Sequence, residues 1–126
     1  MASRLAWICI DTTDAERLAR FWGPALGWET IPEGDDVVVQ PPPDSPDRGR
    51  VAGLNLLHVP EAKAVKNRLH LDLVPDDHAA EVARLEALGA TRTSVGQGDV
   101  SWVVLADPEG NEFCVLDPAS DWVVTH

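Results

Sequence analysis

D-A-E-R-L-A-R-F-W-G-P-A-L-G-W, residues Asp14–Trp28, and D-H-A-A-E-V-A-R-L-E-A-L-G-A-T, residues Asp77–Thr91, are two versions of one pattern. Each opens on an acidic residue, carries apolar residues at helical spacing and stops at Leu-Gly. A strand-like run precedes each, Leu5–Ile10 and Leu69–Val74, and three more short strand-like segments follow each. The chain therefore reads as two βαβββ modules in tandem. The predicted fold is α+β, with the paired halves forming a concave mixed sheet.

Working outward from the first helix, Trp7, Cys9 and Asp11 alternate with Ala6, Ile8 and Ile10, so one face of that strand can meet the helix and the other a cavity. Asp14, Thr12 or Thr13 can cap the helix, with Glu16 in its positive first turn. Leu18, Phe21, Trp22, Ala25 and Leu26 form its core stripe. Pro24 predicts a kink or an early end near Trp22-Gly23, and Gly27 supplies a left-handed exit. Trp28–Ile31 and Asp36–Gln40 read as strands joined by the turn Pro32–Asp35, Pro41–Asp47 as a surface loop, and Val51–Val59 as the closing strand.

The first module spans about residues 4–59, a linker 60–66, the second module about 67–117, and a tail 118–126. In the second module Asn67–Val74 is an alternator, with Leu69, Leu71 and Leu73 on one side and Arg68, His70, Asp72 and Val74 on the other. The helix runs from about Asp77 to Leu88, with Val82, Leu85 and Leu88 inward, and Gly89 stops it. Strands follow near Ala90–Val95 and Val100–Leu105. Asp107-Pro108-Glu109-Gly110 fits a type I turn that delivers the last strand, Asn111–Leu116. Trp122-Val123-Val124 in the tail is expected to pack on the domain or on a second subunit.

At 126 residues the chain has the size of one domain, while a half of about 60 residues is marginal alone. A net charge of −11 argues against nucleic acid, whose phosphates need clustered cations, and against anionic membrane surfaces. No apolar run approaches the roughly 20 residues of a membrane span, and the N-terminal segment lacks a signal-peptide stretch. Two cysteines make no disulfide framework. The expected setting is the reduced cytoplasm.

The order β-α-β-β-β twice, with D-P-E-G-N before the last strand, resembles the vicinal oxygen chelate superfamily, which includes glyoxalase I, extradiol dioxygenases, fosfomycin-resistance enzymes and bleomycin-binding proteins. Lys66–Leu73 and Asp107–Cys114 look most like its glyoxalase-like branch. The resemblance implies homodimers. It also implies, in metal-using members, four ligands on the concave face, one from the first and last strand of each module. Carried over by position, the first is Trp7, seven residues before Asp14. The second falls at Asn55 or Leu57, the third at His70, six before Asp76, and the fourth at Cys114, seven after Asp107. The set Trp7, Leu57, His70 and Cys114 offers an imidazole, a thiol and two apolar groups, short of what zinc or a hard divalent ion requires. No cofactor is therefore expected. His70, Glu112 and Cys114 are the weak candidates should a divalent metal bind.

Without a metal the hollow would present Trp7, Cys9, Asp11, Asn55, Leu57, Arg68, His70, Asp72, Glu112, Cys114 and Trp102, an apolar and aromatic lining with a few polar groups suited to small-molecule recognition. His70 and Asp72, two apart on one strand and so about 7 Å from each other, are the candidate general base and its carboxylate neighbour. The alternative is a satisfied interior histidine, with Asp72 paired to Arg68 or Lys66. Trp7 and Trp102 are candidates for stacking, and Arg68 for gripping a carboxylate or phosphate. Cys114 reads as a reactive thiol or a small buried hydrophobe, and His58, His78 and His126 as surface residues. Three functions compete: a small-molecule-binding protein with a degenerate metal site, acting as a binder or a metal-free enzyme; a metal-dependent lyase or isomerase of glyoxalase type; and an interaction module in a larger assembly.

Overall fold

The computed structural model describes residues 2–94, 96 and 102–126. The chain divides into two compact units, Met1–Ala62 and Lys63–His126, and each repeats the same architecture.

In the first unit β1 (Trp7–Thr12) leads to α1 (Ala15–Leu26), then β2 (Glu29–Glu33), β3 (Asp36–Gln40) and β4 (Gly53–His58). The sheet order is β1-β4-β3-β2, with β1 parallel to β4 and the other pairs antiparallel. Asp14 caps α1 by accepting the Arg17 amide at 3.0 Å, while its own amide donates to the Thr12 hydroxyl at 3.1 Å. The helix buries Leu18, Phe21, Trp22 and Ala25, and it packs on β3 and β4, whose Val37, Val39, Leu54 and Leu56 are also buried. Phe21 and Trp22 meet edge to face at 5.1 Å. Burying two such rings stabilises the module by about 1.5–3 kcal/mol each.

Pro24 neither kinks α1 to a stop nor ends it near Trp22, as expected from the sequence; the helix continues to Leu26. The reason lies in its last turn. Gly27 adopts a left-handed φ of 66°, its amide reaches the Pro24 carbonyl at 3.3 Å, and the Trp28 amide reaches that of Gly23 at 2.9 Å. Those bonds satisfy the terminal carbonyls, and the buried stripe holds the proline in place.

The second unit repeats the plan with β5 (Leu71–Leu73), α2 (His78–Leu88), β6 (Thr91–Arg92), β7 (Val103–Ala106) and β8 (Glu112–Val115). Its order is β5-β8-β7-β6, again with the first and last strands parallel. Asp77 caps α2 through the Ala80 amide at 3.1 Å, and Gly89 ends it. Val82 and Leu85 of α2 are buried, as are Leu105, Phe113 and Val115 of the sheet.

Several boundaries differ from expectation. β5 is three residues long rather than running from Asn67, because the Asn67 amide goes to a Glu112 carboxylate oxygen at 2.9 Å instead of to a ladder partner. β6 stops at Arg92, and the expected strand positions Val95, Val100 and Ser101 lie outside the described residues. The tail is not irregular. It forms α3 (Asp121–Thr125), whose Trp122 stays 62% exposed and stacks on His126 at 3.8 Å. No described helix is long and apolar enough to cross a membrane.

The turn before β8 is built around one buried carboxylate. Asp107, 3% exposed, accepts the Glu109 and Asn111 amides at 3.0 and 2.9 Å and the Asn111 side-chain amide at 3.0 Å. The Gly110 amide closes the turn on the Asp107 carbonyl at 2.8 Å.

Candidate functional site

In the first module, strand alternation sends Ile10, Leu54 and Leu56 toward the helix side and leaves the opposite face open along β1. The register sets Trp7 beside Gly53, Cys9 beside Asn55 and Asp11 beside Leu57. Trp7, Cys9 and Asp11 are exposed, and Asn55 and Leu57 half-buried. Val38 adjoins Asn55 from β3. The face is thus an indole, a thiol and apolar side chains, with one carboxylate and one amide. Glycine at 53 is what lets Trp7 lie flat: a Cβ there would fall 2.5 Å from Cζ3 of the indole.

A hollow of about 190 Å³ opens at the Trp7 end of this face, bounded by Trp7, Gly53 and Val51 and by Arg4, Arg48 and Arg50. Arg48 is anchored there, donating to the Glu29 carboxylate at 2.9 Å and to the Pro41 carbonyl at 3.0 Å. The three arginines escaped the sequence reading. Two of them follow the proline-rich loop, and only the return of that loop beside β1 brings them to Arg4. Three cations against a tryptophan in so acidic a chain was the available signal.

In the second module the register places Asp72, Cys114 and Val104 side by side across β5, β8 and β7. Cys114 is 8% exposed. Burial first, and then the charge and hydrogen bonding of the Asp72 carboxylate, push its thiol up to about 11. That shift keeps the thiol protonated at neutral pH and works against its acting as a nucleophile. Asp72 lies beside Cys114 in the β5–β8 register, and among the described residues no ion pair joins it to Arg68 or Lys66. Two results follow. Thiol reagents at pH 7.5 are expected to modify exposed Cys9 rapidly and Cys114 only on unfolding, so Cys9→Ser should abolish labelling of the native protein. The second concerns alkaline pH. The unfolded thiol ionises near pH 8.5 and the folded one near 11, so in this window the unfolded state binds fewer protons and stability falls as pH rises. The decline in melting temperature across that window should be shallower in Cys114→Ala.

Glu112, expected at the rim as an outlying ligand, is already committed. Lys63 donates to it at 2.7 Å and the Asn67 amide at 2.9 Å, while the Asn67 side chain donates to Asn111 at 3.2 Å. Burial acts to raise the Glu112 carboxyl, but the Lys63 ammonium and the Asn67 amide outweigh it and hold the carboxyl below its ordinary value. The side chain ties the segment entering the second module to β8. Arg68, beside it, is exposed, and Trp102, immediately before β7, is 37% exposed.

His70 precedes β5, and its Nε2 is buried with no hydrogen-bond partner among the described residues. No described residue satisfies that nitrogen, as the interior-histidine reading would require. Of the histidines read as surface residues, His78 departs from expectation, since its Nε2 donates to the Val115 carbonyl at 3.0 Å and ties the start of α2 to β8.

The resemblance implies a divalent metal in some relatives, and the residues do not fit one. Among the described residues, no group of three or more His, Cys, Asp or Glu side chains is placed to hold an ion. Of the four positions, His70 offers a nitrogen, Cys114 a thiol that burial keeps protonated, and Trp7 and Leu57 no donor at all. Zinc sites normally take three or four protein ligands.

The profile of the glyoxalase-like domain matches residues 7–116 of the chain. No curated protein matches it significantly. Among solved structures, a glyoxalase/bleomycin resistance protein/dioxygenase family enzyme from Burkholderia phytofirmans PsJN superposes with a TM-score of 0.68 at 17% identity, covering 91% of this chain and 98% of that one. The fosfomycin resistance protein FosX from Mesorhizobium loti gives 0.67 at 15%, covering 92% of each. TnmS3, an antibiotic binding protein from Streptomyces sp. CB03234, gives 0.63 at 20%, covering 94% and 98%. At these identities the likeness establishes the fold.

Proposed function

The chain belongs to the glyoxalase-like domain family, and on that footing we propose that it is a cytoplasmic, homodimeric protein that recognises a small organic molecule without a complete metal centre. The observation that carries this reading is the β1–β4 register, which puts Trp7 and Leu57 on the open sheet face where a metal-using relative would present ligand donors. An indole with neighbouring apolar side chains and a few polar groups is a recognition surface for a flat, partly apolar molecule. That one structural neighbour is an antibiotic binding protein and another a fosfomycin resistance protein is in keeping with it.

Within the second module, His70 offers a separate polar group. An imidazole nitrogen buried without a partner costs free energy on the order of 1–3 kcal/mol, which a bound ligand's donor or acceptor would offset. In a metal-free reaction the same nitrogen would be the proton acceptor, with Asp72 two residues on. Asp72 is also the cross-strand neighbour of Cys114, whose thiol its charge helps to keep protonated.

The test is tryptophan emission titrated with a panel of flat metabolites, neutral and anionic, alongside thiol labelling of Cys9. A ligand on the face should quench emission in the wild type, lose that effect in Trp7→Phe, and slow Cys9 modification. If no member of the panel does either, the reading fails.

A further inference from the structure

We propose that the hollow at the Trp7 end of the first module is a binding site for a small aromatic carboxylate, its ring stacked on Trp7 and its carboxylate held by Arg50 and Arg4. The inference rests on the small-molecule reading above and adds the chemical class of the ligand.

Charge is the first argument. The chain has 21 acidic residues and only 10 lysines and arginines, yet three of those cations line one hollow with no Asp or Glu among its lining residues. Arg48 is neutralised and fixed by Glu29 from just outside. Arg4 and Arg50 make no ion pair among the described residues, although acids outnumber cations twofold. Like charges gathered around a concavity focus a positive potential there, opposite in sign to the protein as a whole. The matching ligand is an anion. Guanidinium forks favour carboxylate or phosphate through paired N–H bonds.

Shape narrows the choice. The indole of Trp7 rests on Gly53 and remains 45% exposed, so a flat partner can reach it. Val51 adds an apolar wall. The volume of about 190 Å³ exceeds the cavity of about 150 Å³ that accepts benzene and falls below the 300 Å³ or so at which drug-sized sites begin. One ring bearing one carboxylate fits, a nucleotide is too large, and a bare phosphate would leave the tryptophan unused.

The probe is benzoate, with benzamide as its neutral isostere and inorganic phosphate as the ring-free anion. Binding is read from the Trp7 indole N–H signal in proton–nitrogen correlation spectra, assigned by its absence in Trp7→Phe. Benzoate should shift that signal saturably, and benzamide and phosphate should bind about tenfold more weakly, a difference of about 1.4 kcal/mol. Arg50→Ala and Arg4→Ala should each weaken benzoate about tenfold by the same measure, with the remaining spectrum unchanged, and Arg92→Ala should have no effect. Benzamide or phosphate binding as well as benzoate, or unaltered affinity in Arg50→Ala, would overturn the proposal. If neutral flat molecules shift Trp7 while benzoate does no better, the carboxylate assignment fails and the small-molecule reading survives. If no flat molecule of any charge shifts Trp7 or protects Cys9, both fail.

Discussion

Asp107→Ala is expected to lower the unfolding free energy by about 3 kcal/mol. The carboxylate is 3% exposed and accepts two backbone amides and the Asn111 side chain within four residues of chain. Deleting it leaves buried donors without an acceptor, and that desolvation penalty exceeds the modest net worth of each bond. The turn also sets where β8 begins, so the damage should extend to the pairing of Ala106 with Glu112. Urea denaturation checks the magnitude. Asp107→Asn should cost less, because its amide oxygen still accepts part of the set.

Glu112→Ala should cost about 2–4 kcal/mol. The Lys63–Glu112 pair has side-chain exposures of only 18% and 12%, so removing the carboxylate strands a largely buried ammonium and the Asn67 amide together. Exposed pairs behave differently. Arg20–Glu16, on the surface of α1 at 3.7 Å with 65% and 84% exposure, should contribute under about 1 kcal/mol. Lys63→Met in the Glu112→Ala background should recover part of the loss, since it removes the stranded charge. Hydrogen exchange at Asn67 reports whether the entering segment has come loose.

What could be read from the chain was local or periodic. The acidic helix starts at Asp14 and Asp77, the stops Gly27 and Gly89 and the Asp107 turn are each settled by neighbours a few residues away, and all appear in the structure, which selects Asp14 over Thr12 and Thr13 as the first cap and makes Asp77 a cap too. The two-module plan followed from the repeat, and alternation in β1 was enough to put Trp7, Cys9 and Asp11 on one face. The failures were nonlocal. Glu112 and Lys63 lie 49 residues apart, so no spacing could show that the glutamate was engaged. The shortened β5 is a consequence of the same tether. Pro24 argued locally for a break, and the buried stripe of α1 overrode it. The arginine hollow depended on where the loop after β3 returns. Spacing along one strand set Asp72 near His70, and only the strand pairing shows that Cys114 is its cross-strand neighbour.

The central claim is that a recognition surface has taken the place of a metal centre, and metal stoichiometry tests it most directly. Protein purified without chelator, incubated with excess Zn²⁺, Ni²⁺ or Mn²⁺ and then exhaustively dialysed, should retain far less than one equivalent of any of them, with wild type and His70→Ala alike. Retention of one equivalent by the wild type that disappears in His70→Ala would contradict the account.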